Sequence, residues 1–164
     1  MSATPEINER PEQPYVAVRA DVTMAELPEF AHRFGEVFGW LAEHGAAPAG
    51  APFFRYNVID MERKLNVEAG VPVAAAVAGD DGVIAGTLPA GRYVTYLHVG
   101  PYDGLIGAVE TLRHWGDTRG VEWDSSDAED GEHWGCRLDI YITDPSEEPD
   151  ASKWETELAF RLAD

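Results

Sequence analysis

The sequence predicts an α+β domain. Two βαββ units form one antiparallel curved sheet, with two main helices on one side and a ligand cleft at the pseudo-twofold axis. Three observations predict this. An order of strand, helix, strand, strand occurs twice along the chain. Each helix-like stretch carries apolar residues at three-and-four spacing. The closing strands of the two halves line up, KLNVEAGVPV (Lys64–Val73) beside KWETELAFRL (Lys153–Leu162).

The first 14 residues, MSATPEINERPEQP, are rich in Pro and Glu and read as a flexible N-terminal arm. They lack the basic start and apolar core of a signal peptide. From Tyr15 to Val22 the pattern alternates. Val16, Val18, Ala20 and Val22 form one face; Tyr15, Ala17, Arg19 and Asp21 form the other. Phe30, Phe34, Val37 and Leu41 then follow a helical period within Glu26–His44, which Gly45 and Pro48 end. Pro52–Asp60 and Lys64–Val73 read as strands around a turn near Asp60–Arg63. After the Gly79-Asp80-Asp81-Gly82 turn, Val83–Thr87 is a short extra strand or part of the linker. The first half-repeat covers about 15–78 and the second about 88–164.

The second copy opens with LPAGRYVTYLHVGPYDGL (Leu88–Leu105). Tyr93, Thr95, Leu97 and Val99 are expected on the core face of its strand, with Val94, Tyr96 and His98 opposite. Gly100-Pro101 stops the strand. Asp103 is a plausible N-cap, and Leu105, Val109, Leu112 and Trp115 or Gly116 continue at helical spacing. DSSDAEDGE (Asp124–Glu132) reads as an acidic loop. Trp134–Thr143 and Glu155–Leu162 are the last strands, with Leu138, Ile140 and Ile142 expected to face the helices.

With 164 residues, 45% hydrophobic content and five Trp, the chain has enough apolar material for one folded domain. Thirty acidic residues against 12 basic ones give a net charge of −18. That balance opposes direct contact with nucleic-acid phosphates and favours cationic partners. No apolar run approaches the ~20 residues that span a membrane. The single cysteine, Cys136, excludes an internal disulfide framework and fits a reducing cytoplasm. It reads as a small core residue. No metal-ligand spacing or Ser/His/Asp pattern appears, and no cofactor is expected.

If both helices cover one side, the other side of the sheet collects Tyr15, Arg19, Glu68, Val94, Tyr96, His98, Asp139, Tyr141 and Glu157. Aromatics interleaved with a few carboxylates suit flat, apolar, cationic molecules. Each ring contributes about 0.5–2 kcal/mol of cation–π attraction, and a half-buried carboxylate supplies the counter-charge. Glu68 and Glu157 also have Arg19, Arg92 and Arg161 as candidate cross-strand partners.

Four segments resemble the gyrase-inhibitor-like (GyrI-like) small-molecule-binding domains, which also form the effector domains of multidrug-sensing transcription activators. They are the Leu88–Leu105 strand with its Gly-x-Tyr and Gly-Pro-Tyr elements, the helix ending Trp115-Gly116, LDIYITDP, and the pair NVEAGVPV and TELAFRL. The resemblance implies two βαββ units and a central cleft for hydrophobic, often cationic, molecules. It adds Tyr102, Trp154, and Phe54 or Tyr56 to the lining. The acid before the strand Tyr, usually Glu in the family, is Asp139 here, so the counter-ion is Asp139, Glu157 or Glu68. Only 14 residues precede Tyr15, too few for a helix-turn-helix, so a stand-alone domain is expected. Some stand-alone members resemble hydrolases that open cyclopropane rings. In that alternative Glu157, Asp139 and Tyr141 carry the chemistry. A gyrase-binding role with an acidic, DNA-like surface is the third alternative.

Overall fold

The computed structural model describes residues 4–80 and 82–164. Among the described residues, ten strands form a single sheet: β1 (Glu6–Arg10), β2 (Gln13–Val22), β3 (Phe53–Ile59), β4 (Leu65–Pro72), β5 (Ile84–Leu88), β6 (Gly91–Val99), β7 (Ser125–Ala128), β8 (Gly131–Trp134), β9 (Arg137–Tyr141) and β10 (Glu155–Arg161). Eight of them run in the order β1-β6-β10-β9-β3-β4-β2-β5, and β7 and β8 form a hairpin that branches from β3. All pairings are antiparallel. Read inward from each side, β6-β10-β9 of one half corresponds to β2-β4-β3 of the other, so β9 and β3 meet at a pseudo-twofold axis.

The helices are α1 (Leu27–Phe30), α2 (Phe34–Glu43) and α3 (Leu105–Thr118). The first helical stretch is not continuous, because a tighter turn at Ala31–Arg33 separates α1 from α2. It starts with a capping box between Thr23 and Glu26. In the second half, Pro101 rather than Asp103 holds the cap position, and Tyr102–Gly104 form a tight turn before α3. The helix then buries Ala108, Leu112 and Gly116.

Two short connections show how far the sheet curls. Only Pro11 and Glu12 separate β1 from β2, and only Pro89 and Ala90 separate β5 from β6. Yet β1 and β6 lie at one end of the strand order, β2 and β5 at the other. Links this short span no more than about 10 Å, so the two ends of the sheet must face each other. Burial gives the same answer. Tyr15, Ala17, Phe53, Tyr93, Cys136, Leu138 and Ala159 form a core on the face without helices. The curl itself shields them. On the other face, α2 covers Val16, Val18, Val67 and Val71, while α3 covers Val94, Leu158 and Phe160.

Several expectations change here. Glu6–Arg10, expected within a flexible arm, is a strand paired with β6, and Asn8 donates a hydrogen bond to Thr95 at 2.7 Å. Residues 1–3 of that arm lie outside the described residues. The acidic loop holds a hairpin, β7–β8, and the long strand expected over Trp134–Thr143 is two strands, β8 and β9. Cys136 is a fully buried core residue, and burial pushes its thiol pKa up.

The largest correction concerns strand parity. Leu138 and Ile140 face the interior of the curl, not the helices, and Tyr93 does the same. Val94 and Tyr96 pack with the α3 core, while Asp139 and Tyr141 join the helix-side residues Tyr56 and Phe54. The physical reason is that both faces of this sheet are buried. RYVTYLHV and RLDIY have apolar side chains at both parities, so alternation alone does not tell which face meets the helices.

Candidate functional site

The predicted lining therefore divides between two faces. Tyr15, Arg19, Glu68 and Glu157 lie on the helix-free face. Asp139, Tyr141, Phe54, Tyr56, Tyr102 and Trp154 converge on the helix side, at the junction of the two halves. His98 belongs to neither group. Its Nε2 lies 2.9 Å from the Pro101 carbonyl oxygen, and it holds the Gly100-Pro101 turn. Tyr96 belongs to the α3 core.

On the helix-free face Glu68 is satisfied by its own half. Tyr15 Oη donates to Glu68 Oε1 at 2.6 Å, and Asn57 Nδ2 donates to Oε2 at 2.7 Å. Asn57 reaches it because β3 shifts register between Tyr56 and Val58. Arg55 closes the network, donating to Tyr15 Oη at 2.9 Å and to the Gly135 carbonyl at 2.8 Å. Glu157 forms an ion pair with Arg10. Neither glutamate uses Arg19, Arg92 or Arg161. Arg19 is exposed, and Arg161 instead binds Asp124, Asp164 and the Ala90 carbonyl.

The helix-side cluster is built from rings in contact. Phe34, at the start of α2, stacks on Phe54 of β3 with centroids 5.3 Å apart and planes at 15°. Phe54 meets Tyr141 of β9 edge-on at 5.4 Å. Tyr141 meets Tyr102 at 5.6 Å, and Tyr102 lies over Trp154 at 4.9 Å. The two halves contribute symmetrically. Phe34 and Tyr102 stand at the starts of their halves' helices, and β3 and β9 supply the floor. Phe34 was absent from the predicted lining because its spacing with Phe30 marked it only as core. The signal available was its place in the first turn of α2, matching Tyr102 before α3.

Asp139 lies beneath these rings. It is only 7% exposed and accepts a 2.9 Å hydrogen bond from Tyr56 Oη. Burial raises its pKa above the usual carboxylate value; the nearby Arg137 guanidinium and the Tyr56 hydrogen bond pull the other way. Arg137 is itself shared. It lies 4.4 Å from the Phe160 ring centroid, and its Nη1 is 3.6 Å from Glu132. The phenols of Tyr56 and Tyr141 are pushed well above their ordinary value, mainly by burial. They are neutral hydrogen-bonding groups at any physiological pH. The trio Glu157, Asp139 and Tyr141 is not assembled, because Glu157 stands on the opposite face of the sheet.

Such an arrangement offers π faces, neutral hydroxyls and one desolvated carboxylate. Among the described residues, no group of three or more His, Cys, Asp or Glu side chains is placed to hold a metal. No helix among them is long and apolar enough to cross a membrane.

A curled sheet of two βαββ halves, with an aromatic cluster over a buried carboxylate at their junction, has the architecture of a small-molecule-binding domain. The chain belongs to the family described as the GyrI-like small molecule binding domain, whose model matches residues 3–163. No curated protein matches it. Among solved structures, it is similar to the EcmrR C-terminal domain at 21% identity and TM-score 0.73, over 99% of each chain. It also matches EcmrR in a DNA complex, at 20% identity and TM-score 0.78, over 99% of this chain and 58% of that one. This chain thus spans just over half the length of EcmrR. SAV2435 bound to tetraphenylphosphonium matches at 11% identity and TM-score 0.64, over 99% of this chain and 94% of that one. A hydrolase from Listeria innocua matches at 15% identity and TM-score 0.65, over 98% and 92%. These likenesses establish the fold.

Proposed function

We propose that this protein binds lipophilic, often cationic, aromatic compounds in the helix-side cleft, as a sensor or a sequestering protein for drugs and toxins. The observation that carries the reading is Asp139, a buried carboxylate beneath the rings of Tyr56 and Tyr141, with Tyr102 and Trp154 at the rim. A buried carboxylate without a closely bonded cation favours a cation that enters without its own water shell. Among the described residues, Asp139 has no ion-pair partner within 4.0 Å. The rings supply stacking and cation–π attraction to the same ligand. Tyr102 and Trp154 sit on short turns beside the cluster rather than within strands. SAV2435, a similar fold, carries a cation of this kind.

Isothermal titration with tetraphenylphosphonium tests the proposal directly. The expected result is saturable one-to-one binding at micromolar concentration. Absence of saturation into the millimolar range overturns it.

A second reading, hydrolysis of a cyclopropane-bearing natural product, draws on one feature of the same cleft. A carboxyl whose pKa is raised by burial, touching a phenol, is suited to proton transfer. Here the participants are Asp139, Tyr56 and Tyr141, without Glu157. Turnover of such a substrate that disappears in Asp139→Asn separates this reading from simple binding.

A further inference from the structure

The interior of the curled sheet contains a cavity on the far side from the aromatic cleft. Its volume is about 320 Å³, and its walls include Phe53, Pro72, Leu88, Tyr93, Leu138 and Ile140. Exposed Ala49 and Gly50 stand at its mouth. The two sites are back to back across the same strands. On β9, Leu138 and Ile140 face the cavity while Asp139 and Tyr141 face the cleft. On β3, Phe53 faces the cavity and Phe54 the cleft.

Among the described residues, the cavity has one charged side chain in its lining, Arg10 of β1. Pairing of β1 with β6 brings the guanidinium to 5.9 Å from the Tyr93 ring centroid. One of its nitrogens, Nη2, donates to Glu157. Among the described residues, Nε and Nη1 have no hydrogen-bond partner. The Arg10–Glu157 ion pair offsets most of the charge that Arg10 brings to the cavity wall. It does offer free N–H donors beside an apolar wall. This is the reverse of the aromatic cluster, where a buried carboxylate lies among rings.

From this geometry we infer that the cavity is a second binding site, for a small neutral apolar molecule carrying one hydrogen-bond acceptor such as a carbonyl. The acceptor meets Arg10, and the apolar body lies against Phe53, Leu138 and Ile140. Its volume falls at the lower end of the roughly 300–1,000 Å³ typical of small-molecule sites, which limits the ligand to one or two rings. The inference does not depend on what the cleft binds.

Benzophenone is a suitable probe, because it is neutral, carries one carbonyl, and cross-links to adjacent C–H bonds under near-ultraviolet light. The full chain is irradiated with increasing benzophenone and the labelled peptides are mapped. Saturable labelling of the peptides holding Phe53, Pro72 or Leu138–Ile140, undiminished by excess tetraphenylphosphonium, supports the site. Arg10→Ala removes a charged donor and weakens that labelling roughly tenfold. Ala51→Trp fills the cavity wall and abolishes it, with circular dichroism melting confirming that the variant is folded. If Ala51→Trp does not fold, the Arg10→Ala arm decides. Labelling concentrated on the Tyr102, Tyr141 or Trp154 peptides, spread without saturation over the surface, or unchanged in a folded Ala51→Trp overturns the inference.

Discussion

Replacing Asp139 by asparagine removes the buried charge of the cleft while keeping nearly the same volume. The amide still accepts the hydrogen bond that Tyr56 donates at 2.9 Å. What changes is the Coulomb attraction for a bound cation. At an effective dielectric constant of about 20, a charge held about 6 Å away gains close to 3 kcal/mol. Arg137 stands near enough to offset part of that field, which leaves roughly 2 kcal/mol, or about a thirtyfold loss of affinity. Titration calorimetry with tetraphenylphosphonium at pH 8 reads this loss directly. Triphenylphosphine oxide, a neutral molecule of similar shape, should change by no more than about threefold, because its stacking is untouched. The substitution should not destabilise the protein at pH 8, since burial disfavours the ionised carboxylate that it removes. Equal losses for both ligands refute the reasoning, because the effect is then one of shape. No loss for the cation refutes it as well, and transfers the counter-ion role away from Asp139.

The pH dependence of binding follows from the same group. Its pKa in the fold lies above the ordinary 3.8, so cation affinity should climb as pH rises from about 4 through the raised value and then level off. The neutral ligand should show no such climb, and a flat titration profile for the cation counts against the carboxylate. For folding stability the sign is opposite. The folded state holds this proton more tightly than the unfolded chain does. Asp139's contribution is therefore favourable at low pH and is lost as pH rises through that window. Trp154→Ala removes a rim ring in contact with Tyr102 and should weaken tetraphenylphosphonium by about 1–2 kcal/mol; an unchanged dissociation constant in the same calorimetric assay excludes the rim from the site. On the other face, Tyr15→Phe leaves Arg55 and Glu68 each short of one buried partner. It should cost about 1–3 kcal/mol in urea denaturation and leave cation affinity unchanged, whereas unaltered stability means that the network is not coupled to folding.

The duplicated order of elements was legible because it depends on changes of period, from two in the strands to 3.6 in the helices. The helix-facing sides of β2, β4 and β10 were also legible. Val16 and Val18, Val67 and Val71, and Leu158 and Phe160 are uniformly apolar against their neighbours. β6 and β9 were not. Tyr93 and Val94 are both fully buried, one inside the curl and the other under α3. A strand with two buried faces does not announce which is which. The strand at Glu6–Arg10 was hidden for a different reason. EINER has a single apolar residue, Ile7, which remains 42% exposed. Its place in the sheet comes from pairing with β6, a tertiary contact with no local signature.

Those same two-faced strands explain how one thin sheet can hold two chemically different sites. A flat sheet with helices on one side leaves its second face wet, and residues there cannot surround a ligand. Here the links Pro11–Glu12 and Pro89–Ala90 draw the ends of the sheet together, so the second face closes on itself. Alternation along β9 then sends Leu138 and Ile140 inward and Asp139 and Tyr141 toward the helices. The single methylene that distinguishes Asp from Glu at position 139 acts within this frame. A shorter acid sits closer to the strand backbone and deeper beneath Tyr56. Asp139→Glu should therefore push its carboxylate up into the rings and favour smaller cations over tetraphenylphosphonium. Competition between tetramethylammonium and tetraphenylphosphonium measures that preference. A ratio unchanged from the parent protein means that the depth of the carboxylate does not set the size of the cation.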